Sequence, residues 1–175
     1  MTKGLRWPPS DLVKLEQSLD ELANSIRNRP IGRSDDEQIW LTRFLIVRSC
    51  GYLEQVLYRC AIQHLEARSG GTARSFSLSW LNRSINPSVD NVRVTLGRFD
   101  QAIVDEFEKM LNENGGELNN DLSALVTKRH AIAHGENDGL GDRRALALQQ
   151  VAKDLADWII RRLCPDPSWG SVFSR

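Results

Sequence analysis

The sequence predicts an all-α bundle folded as a single domain. Three observations carry that reading. Apolar residues recur at intervals of three and four almost from end to end, no segment alternates apolar and polar residues as a half-buried strand does, and clusters of Gly, Pro and Asn separate the periodic runs. A chain of 175 residues suits one compact domain. Such a domain buries roughly 70% of its unfolded surface without disulfides or structural metals. Neither an internal repeat nor a low-complexity stretch interrupts it.

Ser10 can cap a first helix that carries Leu12, Leu15, Leu19, Leu22 and Ile26 and ends before Pro30. Ser34-Asp35-Asp36-Glu37 is a capping box, which opens a long second helix. Along it run Ile39, Trp40, Phe44, Leu45, Val47, Tyr52, Leu53, Val56, Leu57, Ala61 and Leu65, before Gly70-Gly71 stops it. Apolar residues on so much of its circumference predict the central helix of the bundle. Its charged residues Arg43, Arg48 and Glu54 belong either to a wet stripe or to a functional cleft.

Two short helices are expected over 76–81 and 88–96, separated by Asn86-Pro87 and closed by Gly97. Asp100 can cap a further helix through Ile103, Phe107, Met110 and Leu111, closed by Gly115-Gly116. The next begins near Asp121, buries Leu122, Leu125, Val126 and Ile132, and stops at Gly135. A polar, Gly-rich loop over 136–142 leads to the last helix, in which Leu146, Leu148, Val151, Leu155, Trp158, Ile159 and Leu163 precede Pro165. The tail beyond is expected to be irregular.

Composition narrows the function. Hydrophobic residues make up 41% and charged residues 26%, as in ordinary soluble domains, and no apolar run approaches the roughly 20 residues that span a bilayer. The N-terminus has no apolar core of a signal peptide, so a cytoplasmic protein without a membrane partner is expected. Cys50, Cys60 and Cys164 are odd in number, and the first two lie inside an apolar helical pattern, which predicts buried thiols rather than bridges. Net charge is zero, from 23 basic and 23 acidic residues, which argues against a protein that coats nucleic acid non-specifically. The distribution is uneven, however. Arg68, Arg74, Arg83, Arg93 and Arg98 face only Asp90 in their stretch, whereas 100–121 holds seven acids against Lys109. Arginine, the better bidentate phosphate ligand, outnumbers lysine 18 to 5. Arg74, Arg83, Arg93 and Arg98 are therefore candidates for an RNA path, with a solvated face as the plainer alternative.

The segment Thr127-Lys128-Arg129-His130-Ala131-Ile132-Ala133-His134-Gly135-Glu136 gathers two of the three histidines beside an arginine at a helix end. Histidine, with an unperturbed pKa of about 6.5, exchanges protons near neutral pH, and arginine offers a fixed fork for phosphate oxygens. Together they suggest phosphodiester chemistry without a metal. A helix places His130 and His134 roughly 40° apart, but Arg129 and His134 about 140° apart. One copy of the segment cannot easily aim both at one atom, so either the helix frays near Gly135 or two copies converge. Two other readings stand beside this. Basic residues at a helix C-terminus also satisfy its macrodipole and carbonyls, and histidines at i and i+4 can ligate zinc. The zincin pattern needs Glu after the first His, where Ala131 stands, and no third strong ligand or Cys-x-x-Cys pair accompanies it. Neither a metal site nor a cofactor is predicted.

Arg129, four residues and His134 at the end of a late helix resembles the signature of the HEPN superfamily, with Ala133-His134-Gly135 as its common ending and His130 as the polar residue after the arginine. Ser49-Cys50-Gly51-Tyr52-Leu53-Glu54 in the long helix, and Asn86-Pro87-Ser88 before a short helix and Phe99, resemble the stand-alone bacterial RiboL-PSP-type branch. The resemblance spans about residues 35–163, and implies a HEPN-like helical bundle with additional short helices. It further implies a homodimer that cleaves RNA without metal in toxin–antitoxin, antiphage or RNA-processing settings, with an antitoxin or defence-system protein as a further partner. Arg129 and His134 would be catalytic, His130 would assist, and Glu54 would hold an imidazole or Arg129. Some relatives have lost activity, so the alternative is a non-catalytic module that binds nucleotides or proteins.

Overall fold

The computed structural model describes residues 7–79, 81, 86–136 and 139–166. Seven α-helices, one 3-10 turn and no strand occur among them: α1 Ser10–Arg27, α2 Asp35–Arg68, α3 Gly71–Ser79, α4 Val89–Gly97, α5 Gln101–Asn112, α6 Glu117–Ala133 and α7 Asp142–Arg162. The all-α expectation holds. No described helix is long and apolar enough to cross a membrane.

Helix α2 begins where its sequence says it should. The Ser34 hydroxyl accepts from the Glu37 amide at 3.2 Å, and the Glu37 carboxylate accepts from the Ser34 amide at 3.0 Å, so two orphan donors of the first turn are satisfied reciprocally. Ser34→Ala is expected to lower unfolding free energy by about 1 kcal/mol. Urea denaturation reads it, and an unchanged midpoint would mean the box contributes nothing. Ser88 and Asp100 likewise cap α4 and α5. Ser10 does not cap α1: Pro9 takes the N-cap position, no side chain caps the end, and Ser10 is already helical. Two other starts come earlier than the periodicity suggested. Helix α3 opens at Gly71, directly after the break that ends α2, and α6 opens at Glu117, because Gly115 and Gly116 take left-handed conformations that turn the chain within two residues.

Helices α1, α2 and α7 form the core of the bundle. Helix α1 runs antiparallel to α2, with Asp11 near Arg59, Ser18 near Arg48 and Ser25 near Arg33. Helix α7 runs parallel to α2, since Asp142 meets Thr42 while the Leu163 and Pro165 carbonyls meet His64 and Arg68. Lys153 of α7 reaches Glu16 and Asp20 on α1, and the Trp7 indole donates to the Ile160 carbonyl at 3.1 Å. Between them Leu12, Leu19, Leu45, Leu53, Leu57, Leu148 and Leu155 are fully buried. Helix α5 inserts Phe107 against Trp158, centroids 5.9 Å apart, and α6 adds Leu122 and Leu125. Val126 and Ile132, expected in the core, are only half-buried. The expectation that α2 is apolar because it is central holds for its inner face alone. Ile39, Trp40 and Phe44 are 45%, 66% and 52% exposed, because no described helix covers that side of the N-terminal half.

Candidate active site

Helix α6 stays helical up to His134, which takes the C-cap position with φ −92° and ψ 5°. Gly135 then adopts φ 75°; its amide bonds the Ile132 carbonyl at 3.1 Å and the Glu136 amide bonds the Ala131 carbonyl at 2.9 Å. This is a Schellman ending, in which the left-handed residue after the cap turns the chain back onto the last carbonyls. Fraying is therefore not how the Arg129–His134 geometry is reconciled. The helix holds its pitch through both residues, and they project about 140° apart.

His130 and His134 are exposed and lie one above the other, ring centroids 6.2 Å apart and planes within 7° of parallel. Arg129 is half-buried and turns toward α2. Its guanidinium acts on two groups there, the Cys50 thiol and the Glu54 carboxyl, which lie one turn apart. Burial pushes Cys50 up to about 11, with Arg129 opposing and Glu54 adding. A thiol held neutral is no nucleophile at physiological pH. Burial also raises the Glu54 carboxyl above its ordinary value, while Arg129 pulls it down. The lone glutamate singled out on α2 thus stands opposite the motif arginine. Among the described residues no group of three or more His, Cys, Asp or Glu side chains gathers as a metal site would require.

The loop after the motif is tied down at its far end. Asp142, first residue of α7, accepts from Gln38 Nε2 at 2.7 Å and from Thr42 Oγ1 at 2.5 Å, and its charge suits a helix N-terminus. Gln38 and Thr42 are buried, so this polar group is enclosed and its bonds are strengthened. Sequence reading missed the anchor. Its signal was a Gln and a Thr one turn apart near the start of α2.

Two arginines of the basic stretch are paired with acids. Arg74 is ion-paired with Glu66 at 2.7 Å, and Arg93 lies between Glu108 and Asp90, which hydrogen-bond its guanidinium. Arg98 lines a groove of about 260 Å³ with Leu65, Phe76 and Phe99. Arg83 falls outside the described residues.

A family model described as RiboL-PSP-HEPN matches residues 10–164. The match takes in α1, which the motif resemblance had left outside. Searches of curated proteins and of solved structures give no match.

Proposed function

The chain belongs to the RiboL-PSP-HEPN family, and from that premise we propose that it is a homodimeric, metal-independent endoribonuclease whose cleft is shared by two copies. The observation that carries the reading is the motif's own geometry: two exposed, parallel imidazoles at a rigidly ended helix, beside an arginine turned toward a carboxylate. HEPN domains are often ribonucleases. The exposed rings suit proton transfer, and a guanidinium suits the charge that gathers on phosphoryl oxygens.

In the proposed reaction His134 takes the proton of the ribose 2′-hydroxyl, whose oxygen attacks the adjacent phosphorus. The bond to the 5′-oxygen breaks, and a histidine of the opposite subunit protonates that leaving oxygen. The products are a 2′,3′-cyclic phosphate and a 5′-hydroxyl, with no net change in protons. Arg129 stabilises the developing charge, and His130 orients the substrate or assists the proton transfer. Because Arg129 and His134 diverge on one helix, a second copy supplies the complement. An antitoxin or defence-system protein is the partner this reading adds, in toxin–antitoxin, antiphage or RNA-processing settings.

Incubating the purified protein with structured and unstructured RNA tests the proposal. Cleavage that Arg129→Ala abolishes is expected. Absence of cleavage of either RNA would turn the reading to a module that binds nucleotides or proteins. Glu54 is assigned to hold Arg129 in place, so Glu54→Gln should reduce cleavage about tenfold, equivalent to about 1.4 kcal/mol in the barrier. Single-turnover rates with matched circular dichroism measure it; a parental rate would remove Glu54 from the site.

A further inference from the structure

Two exposed aromatic rings stand four positions apart on α2, Trp40 and Phe44. Each carries a guanidinium on one side: Arg43 lies 5.5 Å from the centroid of the Trp40 ring and Arg48 lies 5.9 Å from that of Phe44. With Pro30 and Leu41 the two rings border an apolar depression of about 690 Å³. Exposed aromatics beside arginines suit single-stranded nucleic acid, because every base has a π-face to stack and a guanidinium adds both a plane and a charge. The spacing selects the strand. Four residues of helix rise about 6 Å, nearly twice the ~3.4 Å between stacked bases in a helical strand, so two bases reach the two rings only when unstacked from one another. A duplex, with its bases paired inside, does not offer them.

The same face leads to the motif. Trp40, Phe44, Val47, Gly51 and Glu54 fall within roughly 80° of arc on α2. A second depression, of about 300 Å³, continues the stripe, and its lining includes Leu15 of α1 with Val47, Arg48, Gly51, Glu54 and Gln55. Glu54 is the carboxylate that Arg129 faces. Gly51 adds an independent observation. A glycine inside a helix is destabilising, yet a Cβ built at Gly51 would meet nothing within 4 Å, so packing within the chain does not require it. Bare backbone on an open face instead lets a ligand approach closely. From Trp40 to Glu54 the helix rises about 21 Å, the length of no more than about six nucleotides.

We propose that the open face of α2 is the path of a single-stranded RNA substrate, with bases stacked on Trp40 and Phe44 and the backbone passing Arg48 and Gly51 to reach Arg129. The inference rests on the ribonuclease reading above and makes unpaired RNA its substrate class. Charge fits this strand. Arg48 donates to the neutral Ser18 hydroxyl at 3.4 Å, whereas Arg74 and Arg93 are paired with acids. Glu37, the acid bordering the first depression, accepts from the Ser34 amide in the capping box. Two rings and two cations supply affinity chiefly by stacking, as suits a chain of zero net charge.

Fluorescence anisotropy with a labelled oligouridylate tests the path, in a His134→Ala background that leaves the probe uncut. Trp40→Ala and Phe44→Ala should each raise the dissociation constant roughly tenfold, and duplex RNA of equal length should bind at least about tenfold more weakly than the single strand. Log affinity should fall with log salt at a slope of about −1.4, from about 0.7 for each of two phosphates; a slope twice as steep overturns stacking as the source of affinity. With His134 restored, Trp40→Ala should raise KM and leave the single-turnover rate at saturating RNA unchanged, a split that misfolding would not give. Photocrosslinking of 5-iodouridine RNA to the parent should label the peptide that carries Trp40 and Phe44, and needs no variant to fold. Crosslinks confined to other peptides, a double variant that binds as tightly as the parent, or duplex bound as tightly as single strand overturns the path. So does a Trp40→Ala, Phe44→Ala protein whose mass by light scattering differs from the parent's, which would make the face a protein interface. RNA held by the two rings but left intact sinks only the ribonuclease, whereas RNA cut with the same KM by parent and double variant sinks only the path.

Discussion

His134→Ala is expected to lower RNA cleavage by about 10²- to 10⁴-fold, the range a positioned general acid or base contributes, while leaving the helix content and unfolding midpoint close to those of the parent. The ring is exposed and lies against His130, so its removal opens no buried cavity. The Schellman ending that follows is built from the backbone of Ala131, Ile132, Gly135 and Glu136 and needs no imidazole. Arg129→Ala should fall as far in rate. It faces Cys50 and Glu54, though, so some loss of stability accompanies it as the carboxylate is left without its countercharge. Cleavage and circular dichroism together decide. A His134→Ala protein that cuts at the parental rate removes His134 from the mechanism.

Replacing the ribose 5′ of the scissile bond by its 2′-deoxy form should leave the substrate uncut, whereas chelation with EDTA should leave cleavage of the all-ribo substrate unchanged. Both outcomes follow from one premise. Among the described residues no set of carboxylate, Cys or further His ligands gathers at the motif, and histidines so placed activate the adjacent 2′-hydroxyl more readily than water at a metal. Product analysis should then find a 2′,3′-cyclic phosphate and a 5′-hydroxyl, and DNA should resist. Cleavage of the deoxy substrate, or activity lost to EDTA and restored by magnesium or zinc, would move His130 and His134 into the role of metal ligands.

Much of this was legible along the chain, because the features concerned are short-range. The capping box at Ser34 and Glu37, the caps at Ser88 and Asp100, and the stop at Gly135 each depend on residues within four or five positions of one another. The same holds for the stacking of His130 and His134, one turn apart. Ser10 shows the limit even locally: a good cap residue lost its place to Pro9, which itself sets the dihedral angles of the preceding turn.

Longer-range relations were not legible. Trp40 and Phe44 have the same side chains whether a helix covers them or not, and their periodicity states only that they share a face. The resemblance offered Glu54 either an imidazole or Arg129, and only the packing of α6 brought Arg129 to it; Asp142 was the end of a loop until its carboxylate met Gln38 and Thr42 about a hundred positions away in the chain. The amino-acid sequence by itself determined the helices, their ends and the pairing of histidines at one of those ends, since hydrogen-bond geometry and 3.6-residue periodicity act between near neighbours. Tertiary structure alone decided which face of α2 stays open, that Glu54 stands by Arg129, and where the motif loop is anchored, because those depend on how helices distant in sequence share a buried surface.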